Sequence, residues 1–97
     1  MQYKVYVDDN YHYMDESERL LAGVFDDCLS AVAKCKEIVD DFLLNAYRPG
    51  MTADQLHSSY TLFGEDPFIM TTDETCEKFS AWSYAERRCE QLCRALQ

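Results

Sequence analysis

Three glycines and two prolines in 97 residues are too few for a turn-rich β-sandwich or a disordered chain. Basic side chains are also scarce: nine Lys and Arg face eighteen Asp and Glu, a net charge of −9. A surface of that sign repels phosphate backbones and anionic lipid headgroups, so neither nucleic acid nor a membrane surface is an expected partner. No apolar run approaches the roughly 20 residues of a membrane helix, and the first eight residues contain no apolar leader segment. A cytoplasmic protein is the resulting expectation. No pair among the five cysteines has C-x-x-C spacing, and an odd number cannot all pair. In a reducing compartment they read as small buried apolar residues or free thiols. Cys28, Cys35 and Cys89 are expected in the core, and Cys76 and Cys93 nearer the surface. No Gly-rich phosphate loop or nucleophile elbow occurs, and no cofactor is expected.

What is present supports one globular domain over residues 1–97, with 47% apolar residues to build its core. Tyr3, Val5 and Val7 alternate with Lys4, Tyr6 and Asp8, the period of a strand with one covered face. Residues 9–19 read as a polar hairpin tip, and Leu20 to Phe25 as a second strand in which Gly23 suggests a bulge. Asp27 can cap a long helix whose stripe is Cys28, Val32, Cys35, Val39, Phe42 and Ala46, widened by Leu29, Ala31 and Leu43. Pro49-Gly50 ends it. Thr52 and Gln55 form a capping box for a short helix to about Tyr60. Phe63 to Pro67 reads as a turn, Phe68 to Thr71 as a third strand, and Thr72 to Lys78 as a polar loop. Ser80 caps a last helix with the stripe Trp82, Ala85, Cys89, Leu92 and Leu96.

These elements predict an α+β fold in β-β-α-α-β-α order. The sheet is three-stranded and mainly antiparallel, with two long helices packed on one face. The other face would be half apolar: Lys4, Tyr6 and Asp8 from the first strand, with apolar residues on both parities of the others, Leu20, Ala22 and Val24 against Leu21 and Phe25, and Ile69 against Phe68 and Met70. Either that face associates with another copy, or residues 9–19 and 72–78 fold over it.

Three stretches carry a resemblance: Val7 to Glu16, Phe63 to Ile69, and Phe79 to Glu86. They resemble a family of small bacterial proteins to which no function is assigned, over nearly the whole chain. The resemblance implies a stand-alone bacterial domain and transfers no catalytic residue or ligand set. Thr72 to Lys78 and Cys28 to Ser30 match it least.

Four groupings could carry chemistry. Asp8, Asp9, His12, Asp15 and Glu16 offer hard oxygens and one imidazole to a divalent cation, with His57 or Glu65 brought in by folding. They lack the spacing of a calcium loop, and acidic loops more often cap amides or face water. The cysteines on the two long helices lack the tight spacing of tetrahedral zinc sites. Glu65 and Asp66 beside Phe68 could have a raised pKa, although a turn role is the simpler reading. Tyr6, Tyr11, Tyr13 and Met14 combine apolar rings with polar tips, as interfaces do. The leading reading is a non-catalytic interaction or accessory domain, either a homodimer or bound to a basic protein. The alternatives are a small metal-binding protein or enzyme using residues 8–18, and an acidic mimic of nucleic acid.

Overall fold

A computed structural model describes residues 1–11 and 19–96. Strand β1 runs Tyr3–Asp9 and β2 Leu20–Phe25. Helix α1 is Cys28–Ala46 and α2 Ala53–Phe63. Strand β3 is Glu65–Met70 and helix α3 Ala81–Leu96. The sheet order is β2-β1-β3 with both pairings antiparallel, and the helices pack against it as an α+β fold.

Alternation in β1 does what its pattern dictates. Tyr3, Val5 and Val7 are buried, while Lys4, Tyr6 and Asp8 are only partly covered. The register of β1 on β2 shifts between Val5↔Gly23 and Tyr6↔Leu21. Ala22 is the extra residue of that bulge, next to the glycine that suggested it. The bulge has a consequence the alternation alone did not show: Val24 opposite Lys4 and Leu21 opposite Tyr6 fall on the same face.

The helix ends follow local chemistry. Asp27 accepts the Ser30 N–H at 2.7 Å. Thr52 and Gln55 make the reciprocal capping box. Ser80 Oγ accepts the Ser83 N–H at 3.3 Å. Helix α2 runs one turn beyond Tyr60, because Gly64 caps it by donating its N–H to Tyr60 O at 2.8 Å. The expected turn at 63–67 is therefore a cap followed by the start of β3. Pro67 fits in that strand because β3 is an edge.

Two apolar clusters form the core. Val39, Leu43, Leu56, Tyr60, Ala85, Cys89 and their neighbours join the three helices, while Tyr3, Val5, Ala31, Cys35 and Cys76 join α1 to the sheet. Two helical stripes differ from their sequence pattern. In α3 the buried residues are Ala81, Ala85, Cys89, Leu92 and Cys93, and Trp82 and Leu96 are exposed. In α1, Leu29 is exposed and Ala31 buried. Close approach of α3 to the other helices selects its small residues for the contact and leaves Trp82 at the margin, while Ala31 meets the sheet.

The cysteines require the main correction. Cys28 and Cys76, 48 residues apart, form a disulfide across 5.6 Å between Cα atoms. Cys76 is buried rather than exposed, because residues 72–78 fold back onto the first turn of α1. Cys35, Cys89 and Cys93 are free and buried. Burial pushes the Cys35 and Cys89 thiols up to about 11, so both stay protonated and unreactive at neutral pH.

Candidate functional site

The sheet face away from the helices collects apolar side chains. Leu21, Val24 and Met70 are each about half exposed there. Tyr6 and Phe68, opposite each other on β1 and β3, stack with centroids 6.0 Å apart and planes 24° from parallel. The Arg19 guanidinium lies 4.9 Å from the centre of the Phe68 ring. A hollow of about 410 Å³ opens between Met1, Lys4, Tyr6 and Met70. Of residues 72–78 only Thr72 borders this face, since Cys76 ties the loop to the helical side, and residues 12–18 of the other expected cover lie outside the described residues. Leu20 pairs with Val7 on the helical side, yet it is 69% exposed at that corner of the sheet.

The acidic residues of β1 are engaged. Asp8 accepts Arg19 Nε at 2.8 Å and Nη2 at 3.2 Å. Asp9 accepts the Tyr11 N–H at 2.8 Å, and the exposed Tyr11 ring stacks on Phe63 at 6.0 Å. His57 lies partly buried on α2, its Nε2 without a hydrogen-bond partner among the described residues. The candidate metal ligands His12 and Asp15, and the candidate interface residues Tyr13 and Met14, lie outside the described residues. Among the described residues no three of His, Cys, Asp and Glu come together as a metal site. Arg19 was not legible as part of this face. Its only sequence signal is a lone base next to a strand rich in apolar residues.

Among the described residues Asp66 is the most perturbed carboxyl. It is half-buried on β3, opposite Asp8, with the Trp82 indole reaching it from α3. Burial first, and the Asp8 charge second, push it up to about 6, while the hydrogen bond from Trp82 opposes the rise. Folding therefore favours its neutral form. As pH rises from its unfolded value of 3.8 through about 6, the unfolded chain ionises first and stability is lost. Asp66→Asn should remove this dependence. Its partial exposure reduces a full two-unit linkage to a gain of about 1 kcal/mol at pH 7.5, with no gain at pH 3.5. Urea midpoints of the two proteins at both pH values measure it. An equal difference at the two pH values would show that ionisation is not the cause. Asp73 shifts the other way, held below the usual carboxylate range by Thr75 and by the Tyr3 hydroxyl.

A second concavity runs beside β3. It measures about 640 Å³ and lies between the strand, at Phe68, Ile69 and Thr71, and the loop from Asp73 to Phe79.

Comparison with family models, curated proteins and solved structures finds no match to this chain. No helix among the described residues is long and apolar enough to cross a membrane.

Proposed function

We propose that this chain is a non-catalytic interaction domain that self-associates as a homodimer through the sheet face away from its helices, which the described residues leave uncovered. The observation that carries the proposal is the cluster of half-exposed Leu21, Val24 and Met70 around the Tyr6–Phe68 stack. Apolar side chains grouped on one side of a sheet lose water when a second copy covers them, and a two-fold axis brings the same patch from both subunits. The rim has both signs of charge in Lys4, Arg19 and Asp8, which suits a self-complementary contact. A cytoplasmic setting belongs to the proposal. There the Cys28–Cys76 bond would open and close with the thiol poise of the cell.

Sedimentation equilibrium over a concentration series tests the dimer. The wild type should dimerise in the micromolar range, and Leu21→Glu with Val24→Glu should weaken this at least about a hundredfold, since four like charges would meet across the axis. Both positions are exposed in the monomer, so circular dichroism should not change. A wild type that stays monomeric at several hundred micromolar would sink the reading.

A further inference from the structure

The outer edge of β3 has a backbone pattern suited to a guest strand. Hydrogen-bonded and non-bonded pairs alternate along an antiparallel ladder. The Asn10 N–H bonds Gly64 O at 2.9 Å, which sets the phase. Counting along the register, Asp66, Phe68 and Met70 turn their backbone groups toward β1, while Pro67, Ile69 and Thr71 turn theirs outward. The position of Pro67 agrees, since its missing N–H falls on the outward side and costs no ladder bond. The outward groups are Pro67 C=O, Ile69 N–H and C=O, and Thr71 N–H. No backbone bond joins another segment to them among the described residues.

Those groups open into the 640 Å³ concavity. Its apolar floor is Ile69 and Phe79. Its far wall carries Asp73, Glu74 and Glu77 against one base, Lys78. The loop forming that wall is held to α1 by Cys76. A groove that combines unpaired strand edge, apolar floor and acidic wall has the parts used in strand addition. The charge selects the occupant. Lys4 is the only base in the three strands of this chain, and it lies on the central one. A second copy therefore has no basic edge strand to offer.

We infer that the β3 edge groove binds an extended basic segment of another protein, added as a fourth strand at Ile69 with its basic side chains toward Glu74 and Glu77. This site adjoins the sheet face away from the helices, sharing Phe68 and Thr71 with it, and it does not require the homodimer.

The test is a titration of the oxidised ¹⁵N-labelled chain with the peptide acetyl-Lys-Val-Lys-Val-Lys-amide, and with the same peptide carrying Glu for Lys. The basic peptide should bind with a Kd on the order of 100 µM, as a few backbone bonds and partly screened charges allow. The Ile69 and Thr71 amides should shift and exchange more slowly with solvent. Glu74→Lys with Glu77→Lys, both exposed, should weaken binding at least about tenfold. Ile69→Pro removes an outward N–H without breaking the β1 ladder and should abolish the response. If that variant does not fold, the charge reversal and the Thr71 exchange decide the question. Equal binding of the acidic peptide, shifts centred on Leu21 and Val24 instead of Ile69, or unchanged affinity in the charge-reversed protein would each overturn the inference.

Discussion

Opening the Cys28–Cys76 disulfide should cost about 4 kcal/mol of stability, the chain-entropy value for a link spanning nearly fifty residues. A domain of this size has only about 5–15 kcal/mol in total, so the loss is a large share of it. The bond joins the start of α1 to the one loop segment that enters the sheet–helix cluster, where Cys76 packs with Tyr3, Val5, Ala31 and Cys35. Without it, residues 72–78 are held by the Tyr3–Asp73 hydrogen bond, the Thr71 bond to Gln2 O, and the packing of Cys76 and Phe79. Thermal melts with and without a thiol reductant should differ by roughly 20 °C. Cys28→Ser with Cys76→Ser should reproduce the reduced value and lose its sensitivity to reductant. Thiol titration of the unfolded, unreduced protein should find three reactive groups, those of Cys35, Cys89 and Cys93. Five would show that the bond is open and remove the prediction.

Gly64→Ala should destabilise the fold by about 3 kcal/mol, the upper part of the range for overpacking a filled site. The backbone there is extended and open to any residue, so the cause is contact rather than conformational freedom. A Cβ at Gly64 would lie 2.5 Å from Tyr60 Cδ1 and 2.7 Å from Tyr60 O. The carbonyl cannot yield, because it accepts the Gly64 N–H that caps α2 and also Asn10 Nδ2 at 2.9 Å. The ring cannot yield either: Tyr60 is fully buried against Phe42 and Trp82, and its hydroxyl donates to Glu65 O at 2.7 Å. The methyl group would therefore push β3 away from the end of α2. Guanidinium denaturation should show a lower midpoint with an unchanged slope. A midpoint within experimental error of wild type would mean that the α2–β3 corner is looser than its distances imply. The same variant should leave Cys28–Cys76 intact, so its effect should add to that of reduction.

The face proposed for association was only partly legible. Tyr6 and the apolar residues of β2 and β3 pointed to an uncovered sheet face, because strand alternation is a local property. Which of the β2 residues share it was not, since a bulge inverts the alternation on one side and only the pairing with β1 places it. Of the acidic residues, Asp8 and Asp9 looked like free ligands. In the fold Asp8 meets Arg19 eleven residues on, and Asp9 holds the Tyr11 amide. Asp66 was one of two adjacent carboxyls with a turn-like context. Its rise comes first from burial and then from the charge of Asp8, against the hydrogen bond from Trp82, and both partners lie far from it in sequence.

The amino-acid sequence by itself determined the order of elements, the caps at Asp27, Thr52 and Ser80 and the inward side of β1. Each rests on interactions within a few residues or on periodicity along one element, which any segment carries with it. Tertiary structure alone decided the Cys28–Cys76 bond, the choice of Ala81 and Cys93 over Trp82 for the α3 contact, the burial of Asp66 and the groove beside β3. These depend on which distant segments meet and how closely, and spacing along the chain does not contain that distance.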